Sequence, residues 1–173
     1  MSLDACARLV EKGDPDRFQA VLAAAPAARS RLLPLYAFNL EVARAPWVTQ
    51  EPLIAGMRLQ FWRDTLAADA PRAHEVAGPL HRVIHESHLD INTLDRLVAA
   101  RLWDVWGEPH ADADALDAYI EDTAAGLLWA AGQAVGAPPR AEHGLRALGW
   151  AQGLASYLRA VPDLKAKGRH PLP

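Results

Sequence analysis

The side chains best placed for chemistry fall into three groups. The first is a histidine run: His81, His85 and His88 stand at i, i+4 and i+7 between Val76 and Leu89. On a helix that spacing puts the imidazoles on one face, where their nitrogens could gather a transition metal. Arg82 and Glu86 interleave, no cysteine is near and no second cluster completes a ligand set. A solvated polar face is therefore the favoured reading, and no metal is expected. The second group is cationic: Arg159 and Arg169 lie at the end of the chain, and each guanidinium could hold a phosphate oxygen. The third group is carboxylic and thin. A Mg²⁺ clamp for a diphosphate uses carboxylates at i and i+4 of one helix face. Glu41 and Asp163, beside the two most motif-like stretches, are isolated.

The elements that must position these groups all read as helices. Leu3–Lys12 is amphipathic and stopped by Gly13; Asp14-Pro15 then signals a new helix, with Asp as N-cap and Pro in the first turn. That helix ends near Pro26. A longer one runs from about Ala27 to Pro46, with a kink expected at Pro34. The next spans Thr49 to Ala68, with Thr49 as N-cap and Leu53, Met57, Phe61 and Leu66 as its apolar side. Trp62 and Arg63 read as a core aromatic beside a surface ion pair. After the histidine helix, Asp90 to Thr93 caps a helix reaching Trp106, expected to expose Asp95, Arg96 and Arg101. Asp112 or Asp114 caps a long helix ending at Gly136, before Pro138-Pro139. The last helix runs from Arg140 to Val161, where Pro162 ends or bends it. Gly149, Gly153 and Ser156 give it a face with almost no side-chain bulk, open to the close approach of another backbone or an apolar ligand.

Two stretches resemble a known family. LGWAQGLASYLRAVPDLKAKGRHPLP is similar, without a gap, to the second signature of the squalene/phytoene synthases, which join two isoprenyl diphosphates. Gly149, Ala151, Leu158, Arg159, Val161, Gly168, Arg169, Leu172 and Pro173 fall in register. The signature's two metal-binding aspartates fall on Ala160 and Leu164, and its Gln and Asn on Gly153 and Ser156. YAFNLEVARAPW resembles the first signature through Tyr36, Ala37 and Phe38. There the cysteine becomes Asn39, the arginine Leu40, and the aspartates Ala43, Arg44 and Trp47. GMRLQFWRDTL, Asp104 and the Tyr119, Ala124, Ala125, Gly126 segment are also family-like. Within the family the chain is especially similar to a degenerate branch, the mitochondrial complex I assembly factors, which has also lost its aspartates.

The resemblance implies an all-α, isoprenoid-synthase-like bundle of seven or eight helices around a central cavity. It covers nearly the whole of residues 1–173, read as one domain shortened at the C-terminus relative to the family. It implies that Tyr36, Tyr119, Gly126 and Arg159 face the cavity, with Arg169 beside Arg159 as a phosphate contact. Ala and Leu cannot hold Mg²⁺, so the metal and catalytic positions read as erased and no cofactor is expected. The functional expectation is a non-catalytic binding or assembly protein, with respiratory complex biogenesis as its setting. The alternative is an active prenyltransferase using Mg²⁺. A scaffold unrelated to isoprenoids is disfavoured by the gapless match.

Composition sets the outer bounds. With 51% hydrophobic and 23% charged residues, the chain has the makeup of a globular protein with a real core. Its net charge of −3 gives no basic footprint for nucleic acid. A lone Cys6 excludes an intrachain disulfide and fits a reducing compartment. Acids early in the chain and the lack of a long apolar run argue against a signal peptide. A cytoplasmic protein is expected, with a prenyl diphosphate or other apolar ligand, a protein partner, or a membrane surface met at its periphery.

Overall fold

The computed structural model describes residues 3–173, and three of its helices begin where a short acid satisfies a free backbone N–H group. Asp14 accepts from the Arg17 N–H at 3.0 Å, Asp90 from the Asn92 N–H at 3.0 Å, and Asp112 from the Ala115 N–H at 2.8 Å. Ten α-helices result, with no strand among the described residues. They are α1 (Leu3–Gly13), α2 (Pro15–Ala23), α3 (Pro26–Arg44), α4 (Pro52–Leu66), α5 (Ala77–Ser87), α6 (Ile91–Ala100), α7 (Leu102–Trp106), α8 (Ala113–Ile120), α9 (Gly126–Ala134) and α10 (Glu142–Ala166). A 3₁₀ turn, Ala45–Trp47, follows α3, and a π-helical segment, Glu121–Ala125, joins α8 to α9. The all-α expectation holds.

The main core is built on α3, which packs against α1, α2, α5 and α9. Its residues from Leu33 to Leu40 are all buried, and Phe38 meets Trp62 edge-on, with ring centroids 5.3 Å apart. Full burial of a side chain such as Phe38 contributes about 1.5–3 kcal/mol. The helix continues through Pro34, which is itself buried. Packing on both sides of the proline offsets the lost backbone hydrogen bond. α10 likewise runs on through Pro162 to Ala166 instead of stopping at Val161. Pro162 is exposed, and its missing N–H leaves one carbonyl of the preceding turn without its helical partner.

α4 departs from its sequence reading. Its buried face is Ala55, Leu59, Trp62, Thr65 and Leu66, whereas Leu53 and Met57 are 77% and 72% exposed. The helix carries two apolar stripes, and the one bearing Trp62 wins because Phe38, Phe61 and His74 all pack against that indole. Thr49 does not cap the helix, since its Oγ1 accepts from the Glu51 N–H ahead of the first turn. Trp62 is buried, and Arg63 forms a bidentate pair with Asp95 at 2.7 and 2.9 Å, as read from the sequence. The histidine trio is broken: His88 leaves α5 in a left-handed conformation, φ 50°, while the His81 and His85 Nε2 atoms lie 2.9 Å apart. No set of three metal-ligating side chains converges among the described residues.

Candidate functional site

A cavity of about 770 Å³ opens between α3 and α10. α3 contributes Tyr36 and Asn39, one turn apart and therefore on one face. The opposite wall is the bulk-free side of α10 with Gly149, Gly153 and Ser156, and the floor is Ile120, Thr123, Ala124, Leu127 and Leu128. The small residues are needed for this arrangement. A Cβ on Gly149 would lie 2.8 Å from the Ala125 Cα and 2.9 Å from the Leu128 Cβ, and one on Gly153 would collide with the Ala124 Cβ. α10 is thus drawn onto the π-helical segment closely enough to form one side of the cavity.

Of the residues singled out in the sequence, Tyr36, Tyr119 and Arg159 line the cavity, as do Trp47, Ala160 and Leu164. Ala43 and Arg44 do not line it. Gly126 is not on the wall either: it turns toward α6, where a Cβ would sit 3.2 Å from the Thr93 Cγ2. Arg169 lies outside and braces the structure. Its Nη2 donates to the Asp104 carbonyl at 2.9 Å, and its guanidinium covers the Trp47 ring at 5.5 Å. It also passes directly over Gly107, where φ is +67° and any side chain would strike the guanidinium.

The residues that organise the site are ones whose roles are hidden in the sequence. The helix expected to run to Trp106 breaks at Arg101, which turns inward instead of outward. Arg101 Nη1 donates to the Tyr119 oxygen at 2.6 Å and to Asp104 Oδ2 at 3.2 Å, while the Tyr119 hydroxyl donates to the same Oδ2 at 2.8 Å. Burial raises the Tyr119 pKa far above its ordinary value, partly countered by Arg101, so the hydroxyl stays protonated and remains a donor. Burial pulls the Arg101 pKa down, but Tyr119 and Asp104 outweigh it and the net shift is upward. Asp104 is 5% exposed, so its charge is held by this network and not by water.

A second cluster adjoins the first. The Tyr157 hydroxyl donates to the Pro171 carbonyl at 2.8 Å, leaving its oxygen to accept from His110 Nε2 at 3.1 Å. His110 therefore carries its proton on Nε2, and it stacks on Trp103 at 4.0 Å. Burial lowers the His110 pKa, against the opposing pull of Asp104. Burial, with help from Asp104, pushes Tyr157 up to about 12. The two clusters tie α10 and the C-terminal residues to α7 and α8. The sequence signals for them were the family-like positions of Asp104 and Tyr119 and the i, i+3 spacing of Arg101 and Asp104, which lets an opposite-charge pair meet on one helix turn.

The donor set does not fit a Mg²⁺–diphosphate site. The aspartate positions of both signatures that reach the wall are Trp47, Ala160 and Leu164, which offer no oxygen. The acids that do line it are committed or dispersed: Asp14 caps α2 and pairs with Arg17 at 2.9 Å, Asp104 is held by Arg101, and Asp16 and Asp163 sit on different helices.

The chain is 28% identical over 172 residues to NADH dehydrogenase (ubiquinone) complex I, assembly factor 6 of Bos taurus, matching 97% of this chain and 52% of that protein. It is 29% identical to the Homo sapiens protein of the same name over 161 residues, 91% of this chain and 48% of that one. It is 32% identical to the Drosophila melanogaster homolog over 167 residues, 91% of this chain and 50% of that one. The chain thus spans about half the length of these relatives. No solved structure matches it significantly. The Squalene/phytoene synthase family matches residues 10–173, nearly the whole of the described fold and every wall of the cavity. On that match, the chain belongs to the squalene/phytoene synthase family.

Proposed function

We propose that this chain is a non-catalytic member of its family and acts as an assembly factor for NADH dehydrogenase (ubiquinone) complex I, in the manner its relatives' names describe. The observation that carries the reading is the apolar wall at the erased metal positions. Trp47, Ala160 and Leu164 line the cavity where the family signatures place aspartates. Heterolysis of a diphosphate ester needs its leaving charge neutralised as the bond breaks, and a bound divalent cation is what supplies that in a metal-dependent transferase. Side chains without oxygen donors cannot position one, so no cofactor enters this reading.

An assembly role also requires a surface for a partner. α4 supports it: Leu53, Ile54 and Met57 are 77%, 47% and 72% exposed, and Val48 just ahead of the helix is 55% exposed. Grouped exposed apolar side chains of this size mark interaction sites more often than chance exposure does. No helix among the described residues is long and apolar enough to cross a membrane.

The test is direct. Purified protein is incubated with Mg²⁺ and radiolabelled farnesyl or geranylgeranyl diphosphate, and a form as long as the relatives is run beside it. No prenyl product is expected from either. Formation of squalene, phytoene or a cyclopropyl intermediate would overturn the reading. In cells, deletion of the gene is expected to lower assembled respiratory complex I, and normal complex levels would remove the assembly role.

A further inference from the structure

His81 and His85 stand one turn apart on α5, so their rings lie side by side on one face. The Nε2 atoms are 2.9 Å apart, and the ring centroids are 4.1 Å apart with a tilt of 51°. A head-on N–H···N hydrogen bond would set each centroid behind its nitrogen on one line. The centroids would then be separated by the nitrogen distance plus a ring radius at either end. They are closer than that, yet farther apart than the nitrogens, so the rings converge toward Nε2. A third donor joins them from the connection between α4 and α5: the Asp69 carbonyl oxygen lies 3.3 Å from His81 Nε2.

Protons alone do not satisfy this group. The Nε2 of a neutral imidazole carries either a proton or a lone pair. If His81 Nε2 donates to the Asp69 carbonyl, it cannot accept from His85. If it donates to His85 or accepts from it, the carbonyl is left without that donor. Three electron-rich atoms thus meet where one proton is shared by only two of them, whereas a divalent cation takes all three electron pairs at once. With metal–ligand bonds of about 2.0–2.1 Å, neighbouring ligand atoms lie about 2.9 Å apart at a right angle and about 3.4 Å apart at a tetrahedral angle. The observed 2.9 and 3.3 Å match those edges. Imidazole nitrogens select late first-row ions over Mg²⁺ and Ca²⁺, which take oxygen donors. Arg82 lines the cleft beside His81, but it is exposed and water screens its charge.

Spacing along the chain offers His88 as the third ligand. In the fold His88 leaves the helix, and a main-chain oxygen 12 positions before His81 takes its place. From this convergence we infer that His81, His85 and the Asp69 carbonyl bind a divalent late first-row transition ion of the Zn²⁺ type, with water completing its shell. The ion ties the α4–α5 connection to α5. None of the three residues lines the cavity between α3 and α10, so the inference stands apart from the non-catalytic reading.

Zn²⁺ is titrated into the full chain by isothermal calorimetry in a non-coordinating buffer at about pH 7.5, where imidazoles are neutral, with Mg²⁺ as the comparison. One saturable Zn²⁺ site is expected, and no Mg²⁺ binding. His81→Gln and His85→Gln should each weaken Zn²⁺ at least about tenfold. His88→Asn, which suits the left-handed backbone there, should leave the affinity unchanged. Melting without metal checks that each variant is folded; His85 is exposed, so His85→Gln carries the test if His81→Gln does not fold. Amide exchange across residues 67–72 should slow when Zn²⁺ is added, because the ion holds the Asp69 carbonyl. No saturable binding, equal binding of Mg²⁺, wild-type affinity in a folded His81 or His85 variant, a loss in His88→Asn as large as theirs, or unchanged exchange across residues 67–72 would each overturn the inference.

Discussion

α3 and α10 face each other across the cavity and are held in place by different physics. α3 buries nine of its 19 residues, and its position follows from apolar area removed from water. α10 buries only Gly149 and Tyr157 of its 25. It is held by close backbone approach at Gly149 and Gly153, by Arg146 bridging Glu121 and Glu142 at 2.9 and 2.7 Å, by the Trp150 indole donating to Asp117 at 2.7 Å, and by the Tyr157 contacts. Burial is tolerant of small changes, because many contacts share the load. A helix placed by a few directional bonds and a steric fit is not. The two walls of one cavity should therefore answer differently to substitution.

The largest expected effect is at the polar network. Asp104→Ala leaves the Arg101 guanidinium without its carboxylate in a mostly buried position and should cost about 3–5 kcal/mol of stability in urea unfolding. A loss below about 1 kcal/mol would show that the C-terminal half does not depend on that charge. Gly153→Leu comes next. It forces a side chain into Ala124 and should cost about 1–3 kcal/mol. Amide hydrogen exchange should quicken along α10 and the π-helical segment while α3 stays protected; uniform quickening would mean that the walls unfold as one unit.

The third is a pH effect. His110 is held below its ordinary 6.5 in the folded chain. Between the folded and unfolded values the unfolded chain binds more protons, so stability should be level above about pH 7 and fall as pH drops through 6.5 and below. His110→Gln should flatten the acid side of a melting-temperature profile, and an unchanged profile would place the acid sensitivity elsewhere. The smallest is at α4. Leu53→Ser and Met57→Ser should each change stability by no more than about 0.5 kcal/mol, because those side chains are already in water. A loss above about 2 kcal/mol in thermal melts would mean that they are covered.

The same division separates what could be read early from what could not. Three aspartate caps, the Asp14-Pro15 boundary and the small face of the last helix follow from local chemistry, and each stands where its residue types put it. The buried side of α4 followed only in part: Trp62 and Leu66 are buried as read, but Leu53 and Met57 are not, because the stripe of Leu53 and Met57 and the stripe of Leu59, Trp62 and Leu66 both satisfy helical spacing. Tertiary contacts decide between them: Phe38, arriving from α3, and His74 both pack on the Trp62 indole. Arg101 read as a surface residue for the same reason: its partner Tyr119 is 18 positions away.

Taken alone, the sequence determined the all-α class, most helix starts, the family, and the loss of both aspartate motifs. These depend on residue types and near neighbours, which a linear string displays in full. Tertiary structure alone decided that Trp47, Ala160 and Leu164 share one wall, that Gly126 and Arg169 stand off it, and that Asn39 is buried on it with its Oδ1 unpaired. Those facts concern which groups meet after folding. They are set by the packing of distant helices, and no spacing along the chain encodes them.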